Sequence, residues 1–182
     1  MQTFLPYVGF EKTAQVLDYR RLGKQRVEAY QLLNIVTGRT TSPAWQRHPA
    51  ALMWRGYPRA LLEYGFTIAF EWRRRGYQDF MVERFNSEFC SMICEKIVRP
   101  HWLGDPRLHS SHRAALLAKE PAHYQQFRWK EPPNINYYWP APAELSLRTN
   151  EQKDIEREHV ADAVRQDGDG RDQLLADQHG GV

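Results

Sequence analysis

Apolar residues in this chain return at helical spacing, in stretches cut by glycine and proline, and that pattern leaves packed helices as the fold. From Ala14 to about Val36, residues Leu22, Ala29, Leu33 and Val36 fall on one stripe; Thr13 or Asp18 can cap this helix and Gly38 ends it. Pro43 and Pro49 mark residues 39–50 as a loop, followed by a short helix over Ala50–Arg55 that Gly56 breaks. Pro58 opens a second long helix carrying Ala60, Leu61, Tyr64, Ile68 and Trp72 and ending near Gly76. A third, capped by Asp79, is predicted over 80–98 with Phe80, Val82, Phe85, Phe89, Ile93 and Ile97 inward, and Pro100 stops it. A fourth, shorter helix covers roughly 108–119. Residues 120–143, rich in proline and aromatics, read as a wrap over the helices. No alternating strand pattern or internal repeat stands out. The expectation is an all-α fold: a single compact helical domain of about four helices, an aromatic and proline-rich wrap, and a polar tail.

The chain has 182 residues, one domain's worth, with 42% hydrophobic and 26% charged residues, enough to bury a core without staples. No run of 18 apolar residues exists, so a membrane span is excluded. The start, MQTFLPYVGFEK, lacks the basic-then-apolar pattern of a secretory signal. Two cysteines, Cys90 and Cys94, cannot make a disulfide framework or a zinc site alone, and their apolar neighbours Phe89 and Ile93 mark them as buried thiols. A cytoplasmic, nucleoid-associated protein is expected.

A net charge of +3 conceals an asymmetry. Residues 149–182 hold four basic and nine acidic residues, a net −5, against 21 and 13 in the preceding 148, a net +8. A body at 1–148 and an acidic tail at 149–182 follow, the tail starting as an exposed charged helix over 149–166 and ending disordered over 167–182. The basic body and its 13% aromatic residues suit a polyanion such as nucleic acid.

Three constellations could carry chemistry. In LDYRRLGKQRVEAYQLL, Asp18, Arg21, Gln25 and Glu28 stand three or four residues apart on one face, with Lys24 an i,i+4 neighbour of Glu28. That face is either a catalytic or phosphate-binding surface or a solvated helix side with routine ion pairs. Gly23, mid-helix at a cost of about 1 kcal/mol, permits close approach of a ligand or another backbone. In LHSSHRAALL, His109, Ser111, His112 and Arg113 gather at a helix start, where N–H groups favour phosphate. No HExxH or carboxylate neighbour supports a metal there. In HPAALMWRGY, His48, Trp54 and Arg55 could stack on a base and hold a phosphate, or the aromatics could simply be core. Arg75, in EWRRRGY, could follow a DNA backbone or serve the helix dipole.

The ordered strings LDYRRLGKQR, HPAALMWRGY, EWRRRGY, LHSSHRAALL and NYYWP resemble a bacterial family grouped with the pyrimidine-dimer DNA glycosylases of the phage endonuclease V type, over roughly residues 1–140. The resemblance implies an all-α domain with its N-terminus threaded between helices. It implies metal-independent N-glycosylase and abasic-site lyase chemistry on damaged pyrimidines, without a cofactor and with duplex DNA as partner. In the phage type an N-terminal threonine α-amine attacks the sugar C1′, a Schiff base follows, and a glutamate on the first helix assists. Here the chain begins Met1-Gln2-Thr3, so Met1 carries the amine, with Lys24 as substitute. Matching on Tyr19-Arg20 puts Arg21 at the glutamate position, and Asp18 and Glu28 are the nearest acids. Met1, Asp18, Arg21, Lys24 and Glu28 are thus the catalytic candidates. Arg20, Arg26, His48, Trp54, Arg55, Arg75, His109, Ser111, His112 and Arg113 are the candidate DNA contacts. The same residues would also serve a non-catalytic nucleic-acid-binding module, or an enzyme that cleaves nucleotides or nucleosides.

Overall fold

Proline sets where five of the helices begin, because its fixed φ suits the first turn and its missing N–H is one no helical partner would have satisfied there. The computed structural model describes residues 1–40, 42–132 and 135–140. Among these the helices are α1 (Phe10–Val16), α2 (Tyr19–Val36), α3 (Pro43–Gln46), α4 (Pro49–Trp54), α5 (Pro58–Arg74), α6 (Met81–Glu88), α7 (Cys90–Ile93), α8 (Pro106–Lys119) and α9 (Pro121–Tyr124). A single 3-10 turn, Gln125–Phe127, follows α9. The described residues include no strand, and the fold is all-α. None of their helices is long and apolar enough to cross a membrane. The expected boundary at 148/149, the helix over 149–166 and the disordered end lie outside the described residues.

Two predicted helices are divided. The first splits at Leu17, whose extended backbone (ψ 134°) ends α1, and Asp18 then caps α2 by accepting from the Arg20 and Arg21 backbone N–H groups. The third splits at Phe89 (φ −126°, ψ 24°), and residues 95–100 are not helical. This break turns Met92 inward and leaves Cys90 and Cys94 exposed, so the thiols are not core residues as expected. Asp79 does not cap α6; it pairs with Arg26 of α2, and Phe80 occupies the cap position, largely exposed. Within the predicted loop and wrap, Pro43 and Pro121 start the short helices α3 and α9.

The core lies where α2 and α5 pack together with α1, α4 and α6 around them. Trp54, Tyr64, Phe85 and Tyr124 are its largest fully buried side chains. Two glycines allow the close approach. A Cβ on Gly23 would stand 2.9 Å from the Trp72 ring, and one on Gly65 would stand 2.8 Å from the Phe85 ring. The mid-helix glycine of α2 therefore admits an aromatic ring.

Residues Thr3–Pro6 are buried although they form no regular element. An extended segment inside a helical protein needs partners for its peptide groups, and two histidines one turn apart on α8 supply them. The Leu5 N–H donates to His112 Nδ1 (2.8 Å), and His109 Nδ1 donates to the Leu5 carbonyl (2.7 Å). Arg113 adds a bond to the Pro6 carbonyl, and Trp54 Nε1 donates to Thr3 Oγ1.

Candidate active site

The buried N-terminal segment brings the chain's first amine to α2. The Met1 nitrogen lies 3.9 Å from Glu28 Oε1, with both side chains under a tenth exposed. Lys24 Nζ is 3.6 Å from the same oxygen, but its side chain is 73% exposed, so it is the solvated member of the trio.

Gln25 organises this corner. Its Oε1 accepts from the Phe4 N–H (2.8 Å) and the Tyr64 hydroxyl (2.7 Å), and its Nε2 donates to the Gln2 carbonyl (2.8 Å) and to Glu28 Oε2 (2.7 Å). Four bonds saturate a carboxamide, and the Phe4 N–H, which can only donate, fixes which end faces it. Burial, and then the Glu28 charge, raise the Tyr64 pKa well above its ordinary value, so this hydroxyl remains a donor. Gln2 is held from its other side by His112. That ring accepts the Leu5 hydrogen bond at Nδ1, so when neutral it carries its proton on Nε2. The Gln2 carboxamide lies 2.8 Å from that nitrogen, and its oxygen is the end able to accept there.

The amine and carboxylate open onto a cavity of about 460 Å³. Arg20, Arg21, Lys24 and Lys119 line it with positive charge; Phe4, His48, Tyr137 and Trp139 line it with rings. His48 caps α4 by accepting at Nδ1 from the Ala50 N–H. Burial, and then the nearby Met1 ammonium, hold its pKa below the ordinary value.

The structure thus brings Met1, Arg20, Arg21, Lys24, Glu28 and His48 together and places the other candidates elsewhere. Asp18 is taken up in capping. Burial raises its pKa, but the Tyr124 hydroxyl at 2.6 Å, the Arg21 backbone N–H and the Arg21 guanidinium outweigh burial and keep the carboxyl below its ordinary value. Trp54 is core. His109, Ser111 and His112 are buried, and Arg113 pairs with Glu131. Arg26 lies over the Trp72 ring and pairs with Asp79. Arg75 closes the end of α1, donating to the Ala14, Gln15 and Leu17 carbonyls while paired with Glu71. Arg55 is exposed and bonds the Gln46 carbonyl. Sequence reasoning left Lys119, Tyr137 and Trp139 off the site; the aromatic string NYYWP was the available signal.

Residues 1–82 match the pyrimidine dimer DNA glycosylase family. No curated protein and no solved structure matches the chain. The part that resembles the glycosylases carries Met1, Lys24, Gln25, Glu28 and His48. Lys119, Tyr137 and Trp139, which form the other side of the cavity, lie beyond it. The matching model is that of a DNA glycosylase family, and the match spans less than half of the chain.

Proposed function

We propose that this chain is a DNA N-glycosylase and abasic-site lyase acting on damaged pyrimidines, with the Met1 α-amine as nucleophile and Glu28 as acid/base. The observation that carries the reading is the Met1 nitrogen 3.9 Å from a buried carboxylate in a cationic cavity. α-Amines as a class titrate near 8, against about 10.4 for lysine amines, so more of an α-amine is neutral and nucleophilic at physiological pH.

The amine adds to the sugar C1′, and the C1′–N bond breaks with its electron pair leaving on the base, which takes up a proton. The bound amine gives up its proton, with Glu28 in reach to take it, and the sugar ring opens to a Schiff base. Loss of a C2′ proton from that imine expels the 3′-phosphate. Arg20, Arg21 and Lys119 hold the phosphates through these steps.

Borohydride trapping on duplex DNA carrying a cyclobutane dimer or an abasic site, followed by peptide mapping, tests this. The expected crosslink is at Met1, with the rate in Glu28→Gln lowered about 10²–10⁴-fold and its fold retained. A crosslink at Lys24 would transfer the nucleophile's role to that residue. No crosslink with DNA binding intact would remove imine chemistry.

A further inference from the structure

The cavity has a neighbour that shares Met1 as a lining residue. Beyond Met1 a second hollow of about 200 Å³ is lined by Met1, Gln31, Asn34, Ile35, Thr40 and Trp45. Both hollows are lined along one side by the polar edge of α2, running from Arg20 through Lys24 and Glu28 to Gln31 and Asn34, about 21 Å at 1.5 Å per residue. The facing wall is a row of four contacting rings. Trp45 and His48 have centroids 5.8 Å apart, His48 and Trp139 6.3 Å, and Trp139 and Tyr137 5.9 Å. Trp45 is 44% exposed, unusual for a ring that a core would readily accept.

We infer that this groove is a track for an unpaired DNA strand, with bases on the ring row and phosphates toward the cations Arg20, Arg21, Lys24 and Lys119. A strand has its charges along one side and its stackable faces along the other, and this groove offers the complement of each. Ring faces are open to bases only when those bases are unstacked, and a phosphate track beside a ring row is how strands are held without sequence preference. In an intact duplex the bases already stack on one another, so the ring wall stays unused. The substrate class this names is DNA whose target region is already single-stranded or locally opened. The inference goes beyond the glycosylase reading and stands without it, since no bond is made or broken.

The test is fluorescence anisotropy of the full chain with labelled, undamaged octadeoxynucleotides, single-stranded and duplex, at two salt concentrations. Single strands are expected to bind at least about tenfold tighter than the duplex. Trp45→Ala and Trp139→Ala are each expected to weaken single-strand binding about 5- to 100-fold, with Trp→Phe at either position restoring most of it. Lys119→Ala is expected to weaken binding in a salt-dependent way, with a shallower salt slope. Equal or tighter duplex binding would overturn the inference, as would folded alanine variants that bind like the wild type. The single-strand to duplex ratio requires no variant, so misfolding of a substitution leaves the test decisive. A failed imine trap leaves these readouts untouched, and a failed strand preference leaves the trap untouched.

Discussion

His112 links the N-terminal segment to α8 through a ring that must remain uncharged. Burial, and then the neighbouring His109, push its pKa down to about 3, against about 6.5 in an unfolded chain. His109 is lowered too, by burial first, with the Arg113 charge also lowering it and its bond to the Leu5 carbonyl and the Asp105 charge opposing. Groups that take a proton less readily when folded stabilise the fold fully above the unfolded pKa. That stability is lost as pH falls from about 6.5 toward 3, by about 1.4 kcal/mol per pH unit for a fully depressed group. Asp18, Glu71 and Glu131, also held below their ordinary values, lose their contribution only at lower pH. Thermal melts are therefore expected to shift downward between pH 6.5 and 5, and the shift should shrink in His112→Asn. A melting temperature flat across that window would show that the ring accepts a proton without disturbing the segment.

Between elements, the crossing of α5 and α6 depends on the absence of one methyl group. Gly65 faces the fully buried Phe85 ring, itself packed edge-on against Phe66. Gly65→Ala gains about 1 kcal/mol of helix propensity and forces that ring to move. A net destabilisation of about 1–2 kcal/mol is expected from chemical denaturation, and a stabilised variant would show that the ring can relax freely. The long helices were legible because their apolar stripes are strong, and Pro58 marked its helix start. Pro43 and Pro121 carried the same signal, but one-turn helices have no periodicity to support it. The split at Leu17 was concealed because the apolar stripe runs on across it. Asp18, Gln25 and Glu28 were grouped on one face by spacing alone. Their burial was not legible, because their partners come from Met1, Gln2, Phe4, Tyr64 and Tyr124, distant in sequence. His109 and His112 looked like phosphate ligands for the same reason: polar residues at helical spacing do not reveal that a peptide from the other end of the domain satisfies them.

At the scale of the whole molecule, the earliest and latest parts of the described fold depend on each other. Gln2 and Leu5 are bonded to His112, 110 and 107 residues away, and the Asp18 carboxylate to Tyr124, 106 residues away. Such separations slow folding, since the loop must close before the contact repays it. They also order events during synthesis. A ribosome delivers the first residues of the segment roughly ten seconds before the histidines that hold it. Until then α2 can form, but Leu5 lacks the α8 histidines that bond its peptide groups. Released chains truncated before residue 112 are thus expected to lack the protease-protected N-terminus of the full chain, and released chains that extend beyond about residue 125 should restore it. A protected N-terminus in the shorter chains would show that α2 and α5 suffice. On the proposed chemistry, translation itself would act as a safety interlock, since a half-made chain would have its amine but nowhere to aim it.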